Sequence, residues 1–474
     1  MERTFPSPAE FSFISRYLYR STRVKDAEEF REAGATDFAL TSQEYSRLLA
    51  RLEDSGIDGK GLKQQGDDNA PILVEGVGAM GFDISEKPEP WRRGYYETLL
   101  GCARAAEFLD SCVKDEKRTL AFPKAVVIGP SNPNPRPMPP GSPPAPREED
   151  CVPAFDPPEK FYMKILTTAG FSPAQKVNAA LALGNWMNYK NTPSAAEEMY
   201  KWALDIAASS APNATEIYDS KSYIIKPTAP APSANILKSL TAIAEHKART
   251  GELNDALPIM LSLLRARRSL PDAPKPTAPT PPSGPMETIV KGALYWLMPP
   301  EFPPAPPNGN EVPIRDAKER CEEGALMAYV GEILYATAKN QSGREEGLGW
   351  TREAVDVAEG ELRTRWIGDD ARKTCKQCLQ TGLGNWRTMV SKLAAEERKR
   401  KKAGIPLESP PPAQSNGWFG WGATSETPEE LSKRVEQQER GRWIMEEDLV
   451  LEKEREARQF LDDQKAKTGL FIFR

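Results

Sequence analysis

Histidine is almost missing from this 474-residue chain, with His246 the only one. That scarcity removes every Ser-His or Cys-His pair and every multi-histidine metal arrangement not built around one imidazole. G-x-S-x-G, Walker and H-E-x-x-H patterns are absent too, so an enzyme is not expected. Long apolar runs are also lacking: no stretch approaches eighteen residues, and no spanning helix is expected. Positive charge is not in excess, since 63 Lys and Arg face 68 Asp and Glu for a net charge of −5. The whole-chain field therefore does not favour nucleic acid or an anionic membrane, and a partner must be sought locally.

Cysteine is sparse: Cys102, Cys112, Cys151, Cys321, Cys375 and Cys378 are spread along a chain with no secretory signal, which predicts reduced thiols. Cys375-x-x-Cys378 has no second pair and no histidine beside it, so it lacks the four ligands of structural zinc. Core cysteines on a helix are expected there. No cofactor and no metal site are expected.

Proline is what the chain has in plenty. Its 44 prolines cluster at 129–146, 227–232, 271–285, 299–307 and 409–412, where neither helix nor central strand can persist. Between the clusters the sequence predicts a mixed, partly disordered segment over 1–88, a helical array over 89–397 with disordered insertions near 129–150 and 271–285, a linker over 398–426, and a long charged helix over 427–465. Phe11–Lys25 is aromatic and basic with no acid, which fits a targeting segment, a patch against a membrane, or an ordinary amphipathic surface helix. Gly76-x-Gly78-x-x-Gly81 follows an apolar run, but Pro88 and Pro90 interrupt the chain where a dinucleotide loop needs a helix. A flexible loop is expected instead.

Apolar positions at intervals of three and four predict a helix over Trp91–Lys114, carrying Tyr95, Leu99, Cys102, Ala106, Leu109 and Val113. Ser172-Pro173-Ala174-Gln175 is a capping-box start. From Val177 to Ala203 follows one helix-turn-helix unit, with Ala180, Gly184, Ala196 and Ala203 where two helices must touch and a turn at Asn191-Thr192-Pro193. Such a unit cannot bury its apolar face alone, so a stacked solenoid is expected. A second copy spans Leu237–Leu264 around Gly251, a third spans Gly324–Ala354 with a four-residue insertion at its turn, and a degenerate fourth pair covers about 371–397. Gly417-Trp418-Phe419-Gly420-Trp421-Gly422 cannot be helical, and is expected either to pin the last helix or to enter a partner's pocket or a membrane interface.

The small residues at repeat positions eight, twenty and twenty-seven and the large one at twenty-four resemble the tetratricopeptide repeat. The implied fold is all-α: an irregular tetratricopeptide-like helical-hairpin solenoid with Pro-rich insertions and a long C-terminal helix. In that family first-helix residues line a concave groove suited to an extended or helical peptide. They map here to Asn178, Leu181, Asn185, Asn188 and Tyr189, then Lys238, Thr241, Glu245, Ala248 and Arg249, then Ala325, Ala328, Glu332, Tyr335 and Ala336. Some of them could equally contact the protein's own insertions. Of the two-carboxylate clamp of chaperone-binding members only Asn185 matches, with Leu181, Ala242, Ala325 and Tyr329 replacing the rest.

Residues 161–168, Ser172–Gln175, the repeats and 417–422 are similar to fungal mitochondrial adaptors of the inner-membrane i-AAA protease. The resemblance implies a non-catalytic scaffold that delivers unfolded or extended segments to that AAA protease, in a mitochondrial location. Members of that group carry an N-terminal membrane helix, and none is read here. The alternative is a cytoplasmic assembly or chaperone-like tetratricopeptide factor.

Overall fold

The computed structural model describes residues 4–27, 36–64, 73–74, 78–79, 81–211, 213–274, 302–364, 367–403 and 441–472. Among these residues thirteen α-helices stand against seven strands of two to four residues, so the chain is helix-rich as expected. It divides into two compact units. One contains Met1–Tyr218, Pro232–His246 and Lys275–Val312; the other contains Asp219–Ala231, Lys247–Pro274 and Pro313–Arg474.

The first unit begins with α1 (Phe13–Lys25), α2 (Phe38–Glu53) and α3 (Glu89–Leu109). All three share one core, in which Phe11, Tyr45, Leu48, Trp91, Tyr95 and Leu99 are buried. Two two-residue ladders, β1 (Lys63–Gln64) with β4 (Phe82–Asp83) and β2 (Leu73–Val74) with β3 (Gly78–Ala79), occupy the glycine-rich stretch between α2 and α3.

The helix predicted to Lys114 stops at Leu109. Cys112–Asp115 (β5) is instead the middle strand of a three-stranded antiparallel sheet with Ala121–Pro123 (β6) and Cys151–Pro153 (β7). Val113 falls in the register of the α3 stripe only by coincidence of spacing. Residues 129–147, expected as part of a disordered insertion, form an exposed loop closed by Ile128 and Arg147, with Asn132 Nδ2 donating to the Ala125 and Val127 carbonyls at 3.0 and 2.9 Å. Short backbone ties replace the helix that its prolines forbid.

Helix α4 (Pro158–Thr167) leads to the predicted hairpin of α5 (Pro173–Tyr189) and α6 (Pro193–Ser209). The Ser172 capping box forms in both directions: Gln175 N–H donates to Ser172 Oγ at 3.3 Å, and Ser172 N–H donates to Gln175 Oε1 at 2.9 Å. Gly184 sits where a Cβ would come within 2.6 Å of the Tyr200 ring, so the missing side chain lets α5 and α6 meet. After the short α7 (Ala214–Ile217), α8 (Ala234–Arg249) runs within this unit as far as His246.

A proline-rich strap at 302–311 crosses the first turns of α3, α5 and α8. Arg93 donates to the carbonyls of Pro303 and Pro304 and lies 4.2 Å over the Phe302 ring. Ala174 N–H donates to Asn308 O at 3.0 Å and Asn235 N–H to Gly309 O at 2.9 Å. Gly309 has φ +81°, a region that glycine enters without penalty.

The second unit holds α9 (Leu253–Arg268), α10 (Ala317–Thr337), α11 (Gln341–Leu362), α12 (Asp369–Lys402) and α13 (Arg442–Ile472). Gly251, at φ +89°, makes the turn before α9. In the α10–α11 hairpin only 338–340 separate the helices, so the extra residues of the third copy lengthen the helices rather than the turn. Gly331 and Gly347 form the point of closest approach.

The fourth pair is a single 34-residue helix, α12. Its interior has no proline, and Gly382 stays helical against Val355. Cys375 and Cys378 are core residues on this helix, but the expected reduced state fails for one of them. Packing of α10 on α12 brings Cys321 and Cys375 to a Cα–Cα distance of 5.0 Å, inside the bonding range, and they form a disulfide. Burial pushes the neighbouring Cys378 thiol up to about 12, leaving it protonated.

The C-terminal helix is docked along a narrow seam of Trp443, Val450 and Leu461. Charges flank it: Arg387 pairs with Glu454 at 2.9 Å, Arg442 with Glu345 at 3.1 Å, and Lys453 with Asp356 at 3.2 Å. Its first turn is capped by the buried Glu397 carboxylate of α12, which accepts from Trp443 N–H at 3.0 Å and Ile444 N–H at 3.1 Å. Glu397→Ala should leave those donors without a partner at about 1–3 kcal/mol and accelerate amide exchange in α13 while α10 and α11 stay protected. The Gly417–Gly422 motif lies outside the described residues.

Candidate functional site

The first-unit groove positions are largely occupied by the protein itself. Asn178 Oδ1 accepts from Lys238 Nζ at 2.5 Å, joining α5 to α8. Leu181 is buried in the core, where it cannot meet a ligand. Asn185 and Asn188 hold the Tyr200 hydroxyl between them: Asn188 Nδ2 donates to it at 2.8 Å, and it donates to Asn185 Oδ1 at 2.8 Å. Thr241 donates to the Leu237 carbonyl at 2.7 Å, within its own helix. Glu245 is half-buried and Arg249, in the second unit, is exposed; neither is without an interaction. Tyr189 projects from α5, stacked on Trp186 with ring centroids 5.3 Å apart.

The second unit differs. Glu332 and Tyr335 line an open groove of about 580 Å³ between the C-terminal turns of α10, the start of α11 and the outer face of α12. Ala336, Ala338, Met389 and Ala395 supply an apolar floor. Tyr335 donates to the Met389 carbonyl at 3.0 Å, which fixes its ring, and burial raises its phenol so that it remains a neutral donor. Asn385 Nδ2 reaches Glu332 at 3.3 Å, and Arg344 pairs with Glu396 at 3.1 Å. Lys392 and Lys399 stand on the rim, and among the described residues neither pairs with a carboxylate. An apolar floor with fixed polar groups and spare cations suits a peptide carrying apolar and acidic side chains or a chain-terminal carboxylate.

The α12 half of this groove, with Asn385, Lys392 and Lys399, was not among the sequence candidates. Its signal was the exposed basic positions at intervals of seven on a helix with no breaker. A second cavity of about 810 Å³ lies in the first unit, lined by Leu109, Val113, Val127, Val152 and Phe155 beside the three-stranded sheet. It depends on the sheet the periodicity concealed. In comparison with known proteins, the chain matches no family model, no curated protein and no solved structure.

Proposed function

We propose that this protein is a non-catalytic interaction scaffold whose helix pairs are irregular tetratricopeptide-like units, and that its second-unit groove binds extended or helical protein segments. The observation that carries the proposal is the groove at Glu332 and Tyr335, the positions that face the ligand in that repeat family. A further support is that the same unit holds a helix of its own, α13, along a seam of α11 and α12 with charges on either side. The similarity of 161–168, Ser172–Gln175, the repeats and 417–422 to inner-membrane i-AAA protease adaptors extends the proposal: unfolded segments are bound and handed to that AAA protease in mitochondria.

Fluorescence anisotropy with unfolded-protein peptides tests the binding step. Peptides that combine apolar and acidic residues should bind, and Lys392→Glu with Lys399→Glu should weaken them by roughly tenfold, with a smaller effect at high salt. Tyr335→Asp should abolish binding. Equal affinity in all three proteins would overturn the assignment of the groove. A C-terminal fluorescent fusion tests the location, and a diffuse cytosolic signal would contradict the mitochondrial part.

A further inference from the structure

Helix α1 is amphipathic in the wrong sense for a helix that ends at water. Its buried face is polar: Ser15, Ser21 and Thr22 lie inside with Tyr19. Ser15 Oγ donates to Asp58 at 2.5 Å, Ser21 Oγ to Glu44 at 2.9 Å, and Tyr19 OH to Glu97. Its outer face is apolar: Phe13 is 74%, Tyr17 57% and Ile14 53% exposed. Phe13, Tyr17, Arg20 and Val24 succeed one another at four, three and four residues, which is one stripe of a helix, with Ile14 and Arg16 on its two flanks. Single exposed apolar residues are ordinary, but three within five residues, on a helix whose inner face is hydroxylic, are not.

The charges on α1 and its neighbours are sorted as well. The helix carries Arg16, Arg20, Arg23 and Lys25 and no acid. Among the described residues, Glu97 pairs with Arg23 at 3.5 Å, Glu44 with Lys25 at 2.5 Å, and Asp58 binds Ser12 and Ser15 on the inner side of the helix. Aromatic residues centred between arginines form the pattern that lies in a lipid interface, with rings at the acyl boundary and guanidinium groups at the headgroups. A net negative chain would not approach an anionic surface through its overall charge, so the contact must be local.

We propose that the Phe13–Ile14–Tyr17 face of α1, with Arg16 and Arg20 beside it, is a docking surface for an anionic lipid bilayer. The contact is peripheral: among the described residues no helix is long and apolar enough to cross a membrane. It is separate from the peptide groove and stands or falls without it.

Flotation of the full chain with vesicles tests the docking. Vesicles of phosphatidylcholine mixed with phosphatidylglycerol should carry the protein, and vesicles of phosphatidylcholine alone should carry little. Phe13→Ser with Tyr17→Ser should lower partitioning by at least about tenfold, and Phe13→Trp with Tyr17→Trp should keep it. Arg16→Glu should weaken binding to the anionic vesicles. Both aromatic double variants alter exposed side chains, and matching unfolding midpoints would verify that they remain folded. No flotation with either vesicle, equal flotation with both, or serine-variant binding equal to the original would overturn the proposal. Self-association or binding to another protein that requires Phe13, without flotation, would assign the face to a protein partner and overturn it too.

Discussion

Removing the Cys321–Cys375 bond should cost the second unit about 4 kcal/mol. The bond closes a loop across a sequence separation of 54, and the loop entropy it denies the unfolded chain has about that size. It ties α10 to α12, the two helices that supply most of the lining of the proposed groove. A urea titration of C321A/C375A against the original chain measures the loss as a lower midpoint. Alanine is preferable to serine because both sulfurs are fully buried and a hydroxyl there would add an unpaired polar group. The double substitution also leaves Cys378, which is buried and protonated, without a thiol from either position to bond with.

Gly331→Ala should destabilise the same unit by about 3 kcal/mol, against its helix propensity. Alanine in a helix interior gains about 1 kcal/mol over glycine. At Gly331, however, the added Cβ would lie 2.5 Å from Thr351 Oγ1 and 2.6 Å from the Gly347 carbonyl. One of those is backbone, which cannot turn aside, so α10 and α11 must separate and lose contacts along their length. Gly349→Ala serves as the control: this residue is exposed on α11 with nothing within 4 Å of the added atom, and the change should raise stability by up to about 1 kcal/mol. Opposite signs for the same substitution two residues beyond Gly347 would separate close approach from propensity. Thermal unfolding of the two variants decides it.

Local signals were legible in the residues. The Ser172 capping box, the turn at Asn191–Pro193 and a close helix contact at Gly184 depend on neighbours in sequence, and the structure has them as expected. The three-stranded sheet was hidden because strands of three or four residues carry too little alternation to compete with a helical stripe that reaches Leu109. The disulfide was hidden for a different reason: only packing of distant helices shows which cysteines meet.

The site followed the same division. Glu332 and Tyr335, named from repeat position, line the proposed groove, while Lys392 and Lys399 on its rim were not named because α12 was divided into a degenerate pair. Asn185 and Asn188 look like ligand groups in sequence, but the Tyr200 hydroxyl engages both. Tertiary contact decides whether a polar side chain on a helix face is available.

Hydrogen exchange of the intact chain, with and without a saturating unfolded client peptide, tests the central claim most directly. The account predicts added protection at the C-terminal turns of α10 around 330–338 and on α12 around 385–399, with both effects lost in Tyr335→Asp. Protection confined to the first unit, or none at a peptide concentration that saturates binding, would contradict it.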